Sequence, residues 1–189
     1  METETLIIVL IALAVMIVAG LVAWVVIRAY RSRRLREKFG PEYDYTMEKV
    51  GDKRIAEETL EEREKRVSKL AIRTLDANEW DHYHTAWIEI QADFVDEPSG
   101  SVEKANRLIK EVMEARGFPV ADFEQRVSDI SVLYPDFVSN YRNAHAIAAR
   151  NQRNGGVSTE ELRQAMVYYR SLFEELLETA ETNVKEKTS

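Results

Sequence analysis

The chain has 189 residues, no cysteine, and a formal charge of −7 from 26 basic and 33 acidic side chains. Without Cys there is no disulfide scaffold, and a single long uncharged run excludes both a multi-span transporter and a wholly soluble protein. The remainder is about one domain of charged chain.

Residues 1–5 are a short acidic N-terminus containing Glu2 and Glu4. Leu6–Ile27 follows, 22 residues with 15 Leu, Ile or Val, four Ala, and one each of Met, Gly and Trp. At 1.5 Å per residue such a helix reaches about 33 Å, enough for a hydrocarbon core of roughly 30 Å. Its aliphatic residues favour insertion by on the order of 4–9 kcal/mol, and no central charge opposes them. A buried core helix rarely needs apolar residues on every face. A cleaved signal peptide wants a basic start and a shorter apolar run. The segment therefore reads as a retained transmembrane helix. Ala19 and Ala23 form a small-xxx-small pair with Gly20 beside them. Such pairs permit close helix approach, a weak pointer to a homodimer.

Residues 28–39 form a basic juxtamembrane segment. Arg28, Arg31, Arg33, Arg34, Arg36 and Lys38 face only Glu37 as a counter-charge. Basic flanks are retained on the cytoplasmic side, so the N-terminus is expected outside and the remainder inside. The same six side chains are expected to contact anionic lipid headgroups. Trp24 and Tyr30 stand about 9 Å apart along the helix, at the inner interface that aromatic rings favour. Nucleic acid is excluded as a partner. Residues 39–189 hold 20 basic and 30 acidic side chains, a balance that repels phosphate backbones.

Proline and glycine punctuate the rest, and sustained strand-type alternation is missing, so the fold class is all-α. Gly40-Pro41 bends the chain at the end of the membrane helix. Residues 40–71 read as a charged connecting helix from about Asp44 to Leu70, weakened at Gly51 and sparse in apolar residues. That pattern predicts an exposed element able to hold the folded part away from the bilayer. Residues 72–181 read as a helical bundle. Asp76-Ala77-Asn78-Glu79 is a capping box opening a helix to about Val95. Trp80, Tyr83, Trp87, Ile90 and Phe94 share one face of it. A second bundle helix runs from Pro98 to Arg116, stopped by Gly117 and Pro119. A third covers about Asp122–Val132. A fourth opens at Pro135 and ends near Gly155. The last opens at the capping box Ser158-Thr159-Glu160-Glu161 and carries Leu162, Met166, Tyr169, Phe173, Leu176, Leu177 and Ala180 inward. The aromatic stripes read as core. Residues 182–189 read as a polar tail.

Several of these segments are familiar. Phe39-Gly40-Pro41-Glu42-Tyr43-Asp44, Ile72-Arg73-Thr74-Leu75, Phe94-Val95-Asp96-Glu97-Pro98, Gly117-Phe118-Pro119, Tyr141-Arg142-Asn143-Ala144-His145 and Leu162-Arg163-Gln164-Ala165-Met166 with Tyr169-Arg170-Ser171-Leu172-Phe173 resemble a functionally uncharacterised family of bacterial single-pass membrane proteins. The likeness covers nearly the whole chain. It departs at Tyr45, where the family pattern carries Arg. The resemblance implies a bacterial envelope protein with a helical domain, which the basic flank places at the inner membrane with that domain in the cytoplasm, and it transfers no catalytic residue.

The motifs of catalysis are missing. There is no Gly-x-Ser-x-Gly elbow, P-loop or Gly-x-Gly-x-x-Gly, so no catalytic residue and no cofactor are expected. Metal binding is not expected either. His82, His84 and His145 are the only histidines, and Glu79-x-x-His82 occurs once where a di-iron bundle needs two copies. One constellation merits a functional reading. Tyr141, Arg142 and His145 share a helix, and Tyr169 and Arg170 lie on the last one. If the two pack, these side chains could line an interaction groove; otherwise the rings are core and the arginines pair with acids. The leading expectation is a membrane-anchored, non-catalytic interaction or scaffold module with an unknown protein partner. A small enzyme or ligand-binding domain using the Tyr/His/Arg groove, and an accessory subunit of an envelope assembly, are the alternatives.

Overall fold

The computed structural model describes residues 2–119 and 122–178. Among these, eight α-helices and one 3₁₀ turn form an all-α fold without strands. The expected tail and the end of the bundle at 181 lie outside the described residues.

Helix α1 (Glu2–Phe39) runs unbroken from the apolar stretch through the basic segment. One stretch of it, near the N-terminus, is long and apolar enough to be a candidate membrane span. Residues 15–30 touch nothing else in the protein closely enough to be covered. Val15, Met16, Ile17, Val18, Leu21, Val22, Trp24 and Val25–Ile27 all stand exposed. Leaving such side chains in water forgoes roughly 1.5–3 kcal/mol each, so the surface calls for an apolar surrounding.

The expected single connecting helix is two helices, and this corrects the sequence reading. Helix α2 (Pro41–Val50) ends at Gly51, which adopts a left-handed φ of 77° and returns its N–H to the Met47 carbonyl. Asp52 then caps α3 (Lys53–Val67), its carboxylate accepting from the Ile55 N–H. Gly51 supplies the reversal that an L-residue resists, so the chain folds back instead of projecting. Nor is the segment exposed on every side. Leu35 and Phe39 of α1, Tyr43 of α2, Leu60 and Val67 of α3, and Val132 close a small core of their own. The hairpin therefore clasps the C-terminal end of α1 rather than spacing the domain from it.

The main core gathers α4 (Ala77–Asp93), α5 (Pro98–Ala115), α6 (Phe123–Leu133), α7 (Val138–Asn154) and α8 (Thr159–Glu178), with the 3₁₀ turn Pro135–Phe137 leading into α7. The Asp76/Glu79 capping box is formed. Ser158 and Glu161 exchange the same reciprocal bonds ahead of α8. Val102, Ala105, Leu108, Ile109, Val112 and Met113 of α5 are all buried, at the helical spacing that lets one element serve neighbours on two sides. Trp87 stacks on Phe173 with ring centroids 4.6 Å apart.

The two cores meet at the linker between α3 and α4. Ile72 packs against both. The Arg73 N–H donates to the Arg116 carbonyl, and the Arg116 guanidinium donates back to the Arg73 carbonyl. Gly117 makes this approach possible. Its φ is +90°, and a Cβ there would lie 2.5 Å from the Ala71 carbonyl oxygen.

Candidate functional site

The five residues expected to share a groove are dispersed. Tyr141 and Tyr169 are fully buried, edge to face at 6.1 Å. Burial raises both phenols above their ordinary range. These rings are core. His145 lies half-buried with its ring flat against Phe123, centroids 3.6 Å apart. Burial, then the nearby Arg126 and Lys110 charges, holds its imidazole below the ordinary value. Arg142 leaves α7 in another direction, toward α2. Arg170 is exposed on α8 and pairs with Glu174 at 2.6 Å. Packing of α7 on α8 thus brings the tyrosines together and sends the arginines in different directions.

Arg142 belongs to a buried charge cluster that the sequence did not reveal. The Glu42 carboxylate is 1% exposed, yet two guanidiniums reach it. Arg142 donates through both terminal nitrogens, at 2.5 and 2.9 Å, and Arg63 of α3 donates at 2.8 Å. The Arg142 guanidinium also stacks over the Tyr45 ring at 3.9 Å. Tyr45 thus supplies a π face to a cation. A second buried acid, Asp129 of α6, accepts two bonds from Arg66 of α3 at 2.8 and 2.9 Å. A third, Glu57 of α3, accepts from Ser32 of α1 and from Tyr43 of α2. Burial alone would raise the Glu57 carboxyl. The Ser32 and Tyr43 hydroxyls, with Lys53 and Arg31 nearby, outweigh it and hold the group below the carboxylate range. All three acids join the hairpin to a neighbouring element.

The juxtamembrane bases are largely engaged in the same clasp. Arg31 pairs with Glu61, Arg34 and Lys38 both with Glu64, and Arg36 with Asp44. Arg28 lies over the Trp24 ring at 5.4 Å. Among the described residues, Arg28 and Arg33 have no carboxylate partner.

Two histidines stack on aromatic rings, His145 on Phe123 and His84 on Trp80, the latter at 4.6 Å. Glu79 is committed to Arg73 and to the Asp76 N–H, which hold its carboxyl down to about 2. Among the described residues no group of three or more metal-ligating side chains occurs.

An open groove does exist on another face, between α4 and α8. It consists of two adjoining clefts of about 180 and 250 Å³ that share Trp87, Gln91 and Arg170. Trp80 and Phe94 mark its ends on α4; Met166, Val167 and Phe173 line it from α8. The stripe expected to be core is buried at its middle, Trp87 and Ile90, and only half-buried at Trp80 and Phe94. Ile88 and Val167 stand exposed beside it. Arg170 alone of the five expected residues faces this opening. Comparison of the chain with protein-family models, with curated proteins and with solved structures returns no match.

Proposed function

We propose that the chain is a membrane-anchored, non-catalytic interaction module whose docking face is the α4–α8 groove. The supporting observation is an aromatic trough with apolar residues left half-covered beside a closed core. From Trp80 to Phe94 the trough is about 21 Å long at helical rise. That suits an amphipathic helix of four turns, whose apolar side would meet Trp87, Met166 and Val167. The resemblance to bacterial single-pass membrane proteins and the basic flank of α1 favour an inner-membrane location, with the N-terminus outside and the domain in the cytoplasm. Anchoring raises the effective concentration of the groove for partners at the same surface.

A photo-crosslinking residue placed at Val167 of the full chain in cells tests this. The expected result is a discrete adduct mapping to an apolar-faced helical segment of another protein. It should be lost in Ile88→Glu and not form from a crosslinker at Gln152, an exposed position on α7. Equal adducts from both positions, an adduct of twice the chain mass, or none from Val167 would overturn the reading.

A further inference from the structure

A second opening lies at the level where α1 leaves the apolar stretch. It is a cleft of about 300 Å³ between α1 and the start of α3, lined by Trp24, Ile27, Arg28, Arg31, Arg54 and Glu57. The four α1 residues are spaced i, i+3, i+4, i+7 and so share one face. The cleft is apolar at one end, where Trp24 and Ile27 are exposed, and cationic at the other. Three guanidiniums line it against one carboxylate. That carboxylate, Glu57, accepts from Ser32 and Tyr43 and lies 3.7 Å from the Lys53 ammonium. Arg31 pairs with Glu61, and Arg54 has only a loose 3.9 Å contact with Glu58.

We infer that this cleft binds the phosphodiester headgroup of an anionic phospholipid. Planar guanidiniums recognise phosphate with paired N–H bonds, and the volume is at the lower end of small-ligand sites, about 300–1,000 Å³. The source of the phosphate follows from the apolar end. Trp24 and Ile27 belong to the candidate span, so a ligand filling the whole cleft carries acyl chain beside phosphate. A free phosphate would leave that wall wet. Depth agrees. Arg54 lines the same cleft as Ile27 and Arg31, and Arg31 lies four residues or about 6 Å beyond Ile27, within a headgroup layer roughly 5–8 Å thick on each side. The site differs from diffuse attraction of a basic flank because it needs Arg54, which α3 returns from 26 residues downstream of Arg28.

The inference rests on α1 lying in a bilayer, and the two are separable. The full chain is first placed in nanodiscs of phosphatidylcholine; failure to incorporate overturns both. Incorporated protein is then released into detergent with equal phosphatidylglycerol and phosphatidylcholine, and bound lipid is counted by native mass spectrometry. Phosphatidylglycerol should be retained at least fivefold over phosphatidylcholine. Arg54→Ala should remove that preference, its side chain being 71% exposed and outside both cores. Arg33→Ala should leave the preference unchanged. Circular dichroism confirms that both variants are folded. Equal retention of the two lipids, or equal losses in the two variants, would overturn the site. Displacement of the lipid by millimolar inorganic phosphate would overturn the lipid as its ligand.

Discussion

Glu42 is the residue whose loss the fold should feel most. Its carboxylate is 1% exposed and joins three elements: α2 through its own backbone, α3 through Arg63 and α7 through Arg142. Those arginines are only 12% and 17% exposed. In Glu42→Gln the shape stays and the charge goes, leaving two guanidiniums in a largely dry site. Removing one partner of a buried pair costs about 3–5 kcal/mol. Residual solvent contact at the arginines places this variant near the lower figure, about 3 kcal/mol. A domain of this size loses roughly 2–4 °C per kcal/mol, so the melting temperature should fall by about 6–12 °C. The assay is circular dichroism of the full chain in detergent micelles, with hydrogen exchange to locate the loss. Exchange should rise first across α2 and α3. Asp44→Asn is the control. It removes an ion pair with Arg36 in which both side chains are about two-thirds exposed, and such pairs contribute little. In the Glu42→Ala, Arg142→Ala double variant, the loss should be smaller than the sum of the single losses by at least about 1 kcal/mol. If Glu42→Gln melts within a degree of the parent, or the single losses add, the cluster is not what joins the hairpin to the bundle.

The other expectations are shorter. Gly117→Ala should destabilise by about 2–4 kcal/mol, because it combines a left-handed backbone with a backbone clash. Gly51→Ala, with φ of 77° and open space around it, should cost about 1 kcal/mol; equal urea midpoints for the two would contradict this. His145 has a folded-state pKa below its unfolded value, with Arg126, Lys110 and Glu124 as the charges facing it. The unfolded chain therefore binds its proton first as pH falls. The stability associated with neutral His145 is intact above about pH 6.5 and is lost as pH drops through the folded value, with a slope of at most about 1.4 kcal/mol per pH unit. Urea midpoints between about pH 7.5 and 5 should flatten in His145→Phe relative to the parent, and parallel curves would refute it. Single cysteines at Thr3 and Thr188 report the topology. An impermeant thiol reagent on intact cells should label the first alone, and labelling of the second alone reverses the orientation.

What could be read from the residues divides along physical lines. The all-α class, the Asp76 capping box and the inward face of α5 rest on local periodicity and on side chains bonding their own backbone, so they are visible in one dimension. The hairpin is not. Gly51 in a charged stretch reads as a mild helix penalty, and only the close approach of α3 to α1 turns it into a reversal. The buried acids are hidden for a related reason. Glu42, Glu57 and Asp129 look like members of a solvated face, because the arginines and hydroxyls that satisfy them come from distant elements. Arg142 and Arg63 lie 79 residues apart in the chain and meet on one carboxylate. The proposed Tyr/His/Arg groove fails for the opposite reason. Helix–helix packing buries the rings most able to fill space, so Tyr141 and Tyr169 go inward together while Arg142 turns to the buried Glu42 carboxylate and Arg170 turns out to Glu174. The half-exposed ends of the α4 stripe had no signal in the pattern, since periodicity names a face without saying how much of it a neighbour covers.

The clasp around α1 changes what the proposed anchor does. Leu35 and Phe39 are completely buried, on the same unbroken helix as the apolar stretch. Burying two such side chains contributes roughly 3–6 kcal/mol in total, and the Ser32, Arg31, Arg34 and Lys38 contacts add direction. A flexible tether would set only the distance of the domain from the bilayer. A helix gripped in the core also sets which side of the domain faces along the membrane, because a turn of one residue, about 100°, would carry Phe39 out of its pocket. Rigidity and tethering are therefore separable by experiment. Four Gly/Ser residues inserted after Ala29 leave the apolar stretch, both cores and every ion pair from Arg31 onward in place. They free the domain to rotate. The domain should melt as before and remain with the membrane fraction. The Val167 adduct should fall several-fold, because the groove now samples all headings instead of one. An undiminished adduct would mean that anchoring acts through local concentration alone and that the grip on α1 serves stability without orienting the groove.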